Sequence, residues 1–216
     1  MSKNLVETNK KKRFDLDTYV FIDASNIREA CRKSCGFCID FLKFHTYLTR
    51  KYPKLRAIRY YEGVALDDKK KREYFEMLRK CGYIICSLER KSYTSPAKYK
   101  TVSCPKCSYN FKIGVAKKIT KMKSNVDVYL ASEFLQIAAE NKKPKRLILV
   151  SCDGDYAEMI KIATEINSNL RLTVLATPFT SRNNFLSSRL RILSRELDKY
   201  IFKLDDISKI AEKISR

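Results

Sequence analysis

Two short apolar runs, each broken off by an acid, constrain this chain more than any other feature. Tyr19-Val-Phe-Ile-Asp23 leads into Ala-Ser-Asn26-Ile, and Leu147-Ile-Leu-Val150 leads into Ser-Cys-Asp153-Gly-Asp155-Tyr. Each run has the length and residue types of a buried strand, and each stops where helical periodicity begins. In an open parallel sheet, ligands bind beyond the carboxyl ends of the strands. Two strands that end in acids therefore bring those acids to one edge. Clustered carboxylates repel one another unless a divalent cation neutralises them, so the pattern points to a hard-metal site.

The rest of the chain suits the same architecture. The pattern predicts strands over 18–23, 57–61, 83–87, 146–151, 172–176 and 200–202. It predicts helices over 26–33, 40–51, 69–81, 125–141, 156–167 and 185–193, with Asp40 as an N-cap and Gly36 and Gly82 as stops. Strands alternating with helices make an α/β fold with a mainly parallel central sheet covered on both faces. Residues 93–123 break the alternation with short runs around Cys104-Pro-Lys-Cys107, which predicts a Cys-containing β-ribbon insertion. The expected organisation is a basic flexible arm over 1–16, one domain over 17–204, and a C-terminal helical tail over 205–216.

Charge narrows the partner. The chain carries 45 Lys and Arg against 24 Asp and Glu, a formal +21, spread along its length. Such an excess attracts polyanions, RNA first and DNA second. No apolar stretch approaches the ~20 residues that span a bilayer, so no membrane partner is expected. The first residues are polar and basic, unlike a secretory signal, so the expected location is cytoplasmic. His45 is the only histidine, which removes paired-histidine acid/base catalysis and any multi-histidine metal centre.

A third acid, Asp127, falls in the first turn of the helix predicted over 125–141, where unpaired N–H groups and the helix dipole favour an anion. Glu133 lies six residues on, about 240° around the axis, and is expected at most at the rim of a site. Singly, each of these residues has a plainer explanation. Asn26 or Asp155 could cap a helix, Asp153-Gly154 is a common turn pair, and Asp127 could offset a dipole. As a set, on a strongly basic chain, they favour function.

The ordered motifs resemble the NYN domain, a branch of the PIN-like nuclease superfamily. The resemblance rests on Phe-Ile-Asp23-Ala-Ser-Asn26, Ile39-Asp40-Phe, Tyr60-Tyr61, Lys123-x-x-Val-Asp127-Val and Val-Ser151-Cys-Asp153-Gly-Asp155-Tyr, and runs from about residue 18 to 202. It implies a PIN-like three-layer sandwich, a Mg²⁺ or Mn²⁺ site, and RNA as substrate. It implies that Asp23, Asp127, Asp153 and Asp155 bind the metal, with Asn26 as their polar companion. Cys152 stands where the family usually has glycine, and Glu133 where it often has aspartate. The function expected is a metal-dependent endoribonuclease. The alternative is a catalytically weak or inactive RNA-binding or adaptor module of the same fold. Arg28, Lys123, Lys106 and Lys112 are the expected contacts to nucleic acid.

Eight cysteines in a cytoplasmic chain argue against disulfides. Cys35-x-x-Cys38 and Cys104-x-x-Cys107 both have zinc-ligand spacing, so a structural Zn²⁺ held by all four is arithmetically available, closed by the fold or across a homodimer.

Overall fold

β1 (Asp17–Asp23) is the central strand because nothing in its middle is polar: Val20, Phe21 and Ile22 are fully buried. The computed structural model describes residues 16–95, 98–116, 119–178 and 185–216; the expected arm over 1–16 lies almost wholly outside these residues. From β1 the chain enters α1 (Ala24–Ala30), which continues into a wide π-helical turn, Cys31–Cys35, that ends on Gly36 at φ 71°. α2 (Phe41–Lys51) is capped by Asp40, whose carboxylate accepts from Leu42 N and Lys43 N. β2 (Leu55–Val64), α3 (Lys69–Lys80) and β3 (Tyr83–Glu89) follow.

The insertion is two nested antiparallel pairs. The outer pair joins β4 (Lys91–Ser95) to β7 (Ile119–Lys123), and the inner joins β5 (Lys98–Ser103) to β6 (Asn110–Ala116). The chain then returns through α4 (Val126–Ala139), β8 (Lys145–Val150), α5 (Tyr156–Ile166), β9 (Leu170–Ala176), α6 (Ser188–Glu196) and β10 (Phe202–Asp206). A 3₁₀ turn (Ile207–Ile210) and α7 (Ala211–Ile214) complete the tail, which folds back onto the start of α2 through Asp40 N to Ile214 O and Arg216 N to Cys38 O. Strand β10 starts later than the pattern predicts. Asp198 draws the preceding residues into a turn, accepting from Tyr200 N on its side chain and from Ile201 N on its carbonyl.

Six strands form one sheet in the order β10-β9-β8-β1-β2-β3, and every neighbouring pair is parallel. The order reverses between β1 and β8. In doubly wound sheets that reversal opens a crevice at the carboxyl edge. Strand β2 shows the two layers by alternation. Tyr60 and Glu62 face α1, α2 and α3, with the Tyr60 ring 5.0 Å from Phe41 and 5.9 Å from Phe75. Arg59 and Tyr61 point the other way, onto Glu133 of α4. Phe21 meets Phe134 of α4 at 4.9 Å between ring centres. Among the described residues no helix is long and apolar enough to cross a membrane.

One buried ion cluster ties the first layer to the sheet. Glu62 is 1% exposed and takes Arg28 on both carboxylate oxygens at 2.7 and 3.1 Å, with Lys71 Nζ at 2.6 Å and the Tyr60 hydroxyl at 2.7 Å. Burial alone would raise the Glu62 pKa; the Arg28 hydrogen bonds and charge, with Lys71, outweigh it and hold the carboxyl below its usual range. Removing one member of such a cluster leaves the others buried and uncompensated. Glu62→Ala is therefore expected to cost roughly 2–4 kcal/mol, the exposure of Arg28 tempering the upper figure. Urea denaturation would read this as a lower midpoint, and an unchanged midpoint would refute it.

Candidate metal and nucleic-acid site

Asp23 is both the last residue of β1 and the N-cap of α1, its carboxylate accepting from Asn26 N at 3.3 Å. This is the local reason for the acid: a carboxylate satisfies orphan N–H groups at a helix start. Asn26, which the sequence offered as a cap, lies inside the helix and does something else. Its Oδ1 accepts from Cys152 N at 2.8 Å and from the Ser151 hydroxyl at 3.2 Å, so α1 is stitched to the turn after β8. Ser151 also sits 3.3 Å from Asp23 Oδ2 and accepts from Asp153 N at 3.1 Å. The two strand ends are thus fastened by short polar side chains across the point where the strand order reverses.

Asp23 is buried, and all its hydrogen-bond donors among the described residues are neutral: Asn26 N, the Ser151 and Tyr156 hydroxyls, and a long contact from Ser25. Burial pushes its carboxyl up from 3.8 to about 6, against the lowering by Asn26, Tyr156 and Ser151, and the neighbouring charge of Asp153 adds to the rise. The Tyr156 hydroxyl lies 3.3 Å from Asp23 Oδ2. Its own pKa is raised by burial first, then by the charges of Asp23, Asp127 and Asp153. Asp153 is tied to the same point through Ser151, whose hydroxyl meets both Asp23 Oδ2 and Asp153 N, while Asp127 is exposed in the first turn of α4.

Asp155 sits apart from that rim. Its side chain is 87% exposed and faces Arg189 of α6 at 3.4 Å, while its backbone N–H donates to Asp153 Oδ1 at 3.0 Å. It makes no side-chain cap to α5. Gly154 between the two acids is required by close packing: an added Cβ would lie 2.0 Å from Ser187 Oγ, the residue that caps α6. An open groove of about 480 Å³ between α5 and α6 begins beside this turn, lined by Gly154, Lys161 and Arg189 among others.

Other expected residues are placed less centrally. Arg28 is committed to Glu62 and the Tyr60 hydroxyl rather than turned toward a phosphate. Lys106 and Lys112 are exposed on the inner hairpin, and Lys123 ends β7 with its side chain outside the described residues. Glu133 is bound by Arg59 and the Tyr61 hydroxyl on the α4 side. His45 rests beside Gly82 and Tyr83, at the start of β3, on the opposite edge of the sheet. Cys152 turns its thiol inward against Thr177, whose N–H and hydroxyl both lie 3.3 Å from Sγ, so the extra side chain in this turn is absorbed by the core.

The donor set suits a hard divalent cation. It is a buried carboxylate supplied only with neutral donors, joined through Ser151 to the turn that carries Asp153 and with no histidine among its partners. Among the described residues no three His, Cys, Asp or Glu side chains converge on a single point, so neither the acids nor the two Cys-x-x-Cys pairs form a closed cage as they stand. Sequence reasoning missed the parts played by Ser151 and Tyr156. The signal for both was adjacency: each lies within two residues of an acid at a strand end, where its side chain must turn toward the crevice.

The profile of the NYN domain matches residues 17–202. A protein of unknown function from Vibrio parahaemolyticus RIMD 2210633 has a similar structure, with a TM-score of 0.57 and 21% identity over 90% of this chain and 94% of that one. Ribokinase from Giardia lamblia matches at a TM-score of 0.37, with 16% identity over 72% of this chain and 43% of its own. No curated protein sequence matches. With the family profile covering nearly all of the folded chain, and its acids at the edge where a doubly wound sheet binds ligands, the chain belongs to the NYN domain family, whose members are generally nucleases.

Proposed function

We propose that this protein is a divalent-metal-dependent ribonuclease that hydrolyses RNA phosphodiester bonds at the carboxyl edge of β1 and β8. The observation that carries the reading is the buried Asp23, bonded by the Tyr156 hydroxyl and joined through Ser151 to the turn that carries Asp153. Asp23 and Asp153 would hold a Mg²⁺ or Mn²⁺ ion, with Asp127 and Asp155 acting at its outer side. Such an ion, when bound, activates water and neutralises charge on the phosphoryl and leaving oxygens.

The chain's own residues do the rest. Asn26 and Ser151 hold the two strand ends at a fixed separation, so the acids need little reorganisation. Tyr156 keeps a neutral donor on Asp23 and denies bulk water that side of the carboxylate. Arg189, on the exposed flank of Asp155, is placed to meet a phosphate entering along the α5–α6 groove.

The inner hairpin supplies a second contact region. The register Tyr99 to Gly114 and Thr101 to Lys112 puts Tyr99 and Lys112 on one face, and Lys100 with Phe111 and Ile113 on the other. Tyr99 and Tyr109 are 64% and 70% exposed. Aromatic rings interleaved with lysines suit single-stranded nucleic acid, where bases stack and phosphates pair without sequence readout.

Three measurements test this reading. Cleavage of a panel of single-stranded and structured RNAs should require Mg²⁺ or Mn²⁺, stop in EDTA, and fall by at least about 100-fold in Asp153→Asn. Metal-independent cutting, or full activity in the variant, would remove the acids from the chemistry. Tyr109→Ala should cost roughly 1–3 kcal/mol of single-strand affinity, and Lys112→Ala should reduce the log–log salt slope by about 0.7; unchanged binding in both would take the hairpin out of the RNA path.

The third measurement is of stability in EDTA. Because the folded-state pKa of Asp23 is raised, the stability it contributes is full below the unfolded value and is lost as pH rises through about 6. Wild type should therefore weaken between about pH 4 and 7. Asp23→Asn should remove that slope and be more stable at pH 7.5 by roughly 2–3 kcal/mol. Adding Mn²⁺ should restore wild type and leave the variant unchanged; identical pH profiles would show that Asp23 carries no such burden.

A further inference from the structure

The tip of the inner hairpin is shaped for a metal that the acidic site does not account for. The backbone N–H groups of Lys106 and Cys107, with the Cys107 thiol, hold the Cys104 thiol below its usual range. Ser108 takes φ 57°, one of two non-glycine residues with positive φ among those described, and its N–H closes the turn on Cys104 O at 2.9 Å. Cys104 N in turn donates to Tyr109 O at 2.9 Å, and Ser103 bonds Asn110 across the strands. A tight turn that brings two cysteines three positions apart to one exposed tip, with N–H donors that favour the charged form, is what a thiolate pair needs.

Two thiolates make half of a tetrahedral zinc site. The other Cys-x-x-Cys is built differently. Cys35 closes the wide turn after α1, and Cys38 passes its carbonyl to Arg216 N where the C-terminal tail lies on the start of α2. That loop belongs to the body of the domain, whereas β5 and β6 pair with each other and with no other described strand. A lone two-stranded hairpin is marginal in water. This one also exposes Tyr109 and Phe111, the residues that follow the turn.

We propose that the hairpin tip is half of a zinc site: Cys104 and Cys107 supply two thiolates, and the same pair from a second copy of this chain supplies the other two. A two-fold arrangement of this kind uses one surface patch twice and closes on itself. Each thiol gives its proton to solvent as its sulfur binds. The resulting zinc tetrathiolate carries two negative charges, and the two Lys106 side chains, one per copy and exposed beside the sulfurs, offset them. Pairing the tips supplies the staple that a small β unit otherwise lacks.

The test uses the full chain carrying Asp23→Asn and Asp153→Asn, so that the acidic site takes no zinc, under a non-thiol reductant, stripped with EDTA, dialysed and titrated with Zn²⁺, read by native mass spectrometry and light scattering. The expected result is one zinc per two chains with a twofold rise in mass, both lost in Cys107→Ser and both retained in Cys35→Ser with Cys38→Ser. Because Cys107 lies in an exposed turn, the variant should keep the wild-type circular dichroism. Titration with Co²⁺ should give the intense visible spectrum of tetrahedral thiolate ligation in wild type, which carboxylate binding at the acidic site cannot produce. One zinc per monomeric chain, a zinc-linked dimer that survives Cys107→Ser, or no thiolate spectrum with Co²⁺ would each overturn the proposal.

Discussion

The structure turns on a carboxylate buried without a cation among its described partners. Asp23 ends the central strand, caps the first helix and draws its hydrogen bonds only from neutral groups. A protein that wanted only a helix cap could leave that acid in water, where its charge is free of desolvation cost. Here it sits under Tyr156 and beside Asp153, and its elevated pKa measures how poorly the fold alone supports its charge. The arrangement around it is correspondingly over-determined. Asn26 and Ser151 brace the strand ends, and Gly154 lets Ser187 close over the turn from α6.

Stability elsewhere compensates for that strained centre. On one layer, Glu62 gathers Arg28, Lys71 and Tyr60 into a buried cluster whose attraction exceeds its desolvation cost. On the other, Glu133 takes Arg59 and Tyr61. Both clusters hang from consecutive residues of β2, so each face of the strand next to β1 carries one ionic anchor.

The insertion follows different physics. Its strands have no hydrophobic layer to lie on, so their aromatics remain exposed and their stability must come from the turn, the register and whatever binds them. Placing lysines between those aromatics makes the same segment suited to an anionic polymer.

Much of this was legible in the residues alone. Strand and helix order follow from period, and β1 and β8 could be read as the acid-bearing strands because apolar runs stop on Asp23 and Asp153. What sequence could not decide was how charged side chains are spent. Arg28 looks like a phosphate ligand until Glu62, thirty-four positions away, is seen to occupy it. Asp155 has the same local motif as Asp153 yet faces outward, toward Arg189 of α6. Asn26 reads as a cap and serves as a cross-strand stitch. Local pattern determines which elements form, since periodicity and capping act over a few residues. Only the tertiary structure decides which polar groups meet, because hydrogen bonds and ion pairs depend on distances that strand order, not sequence spacing, sets.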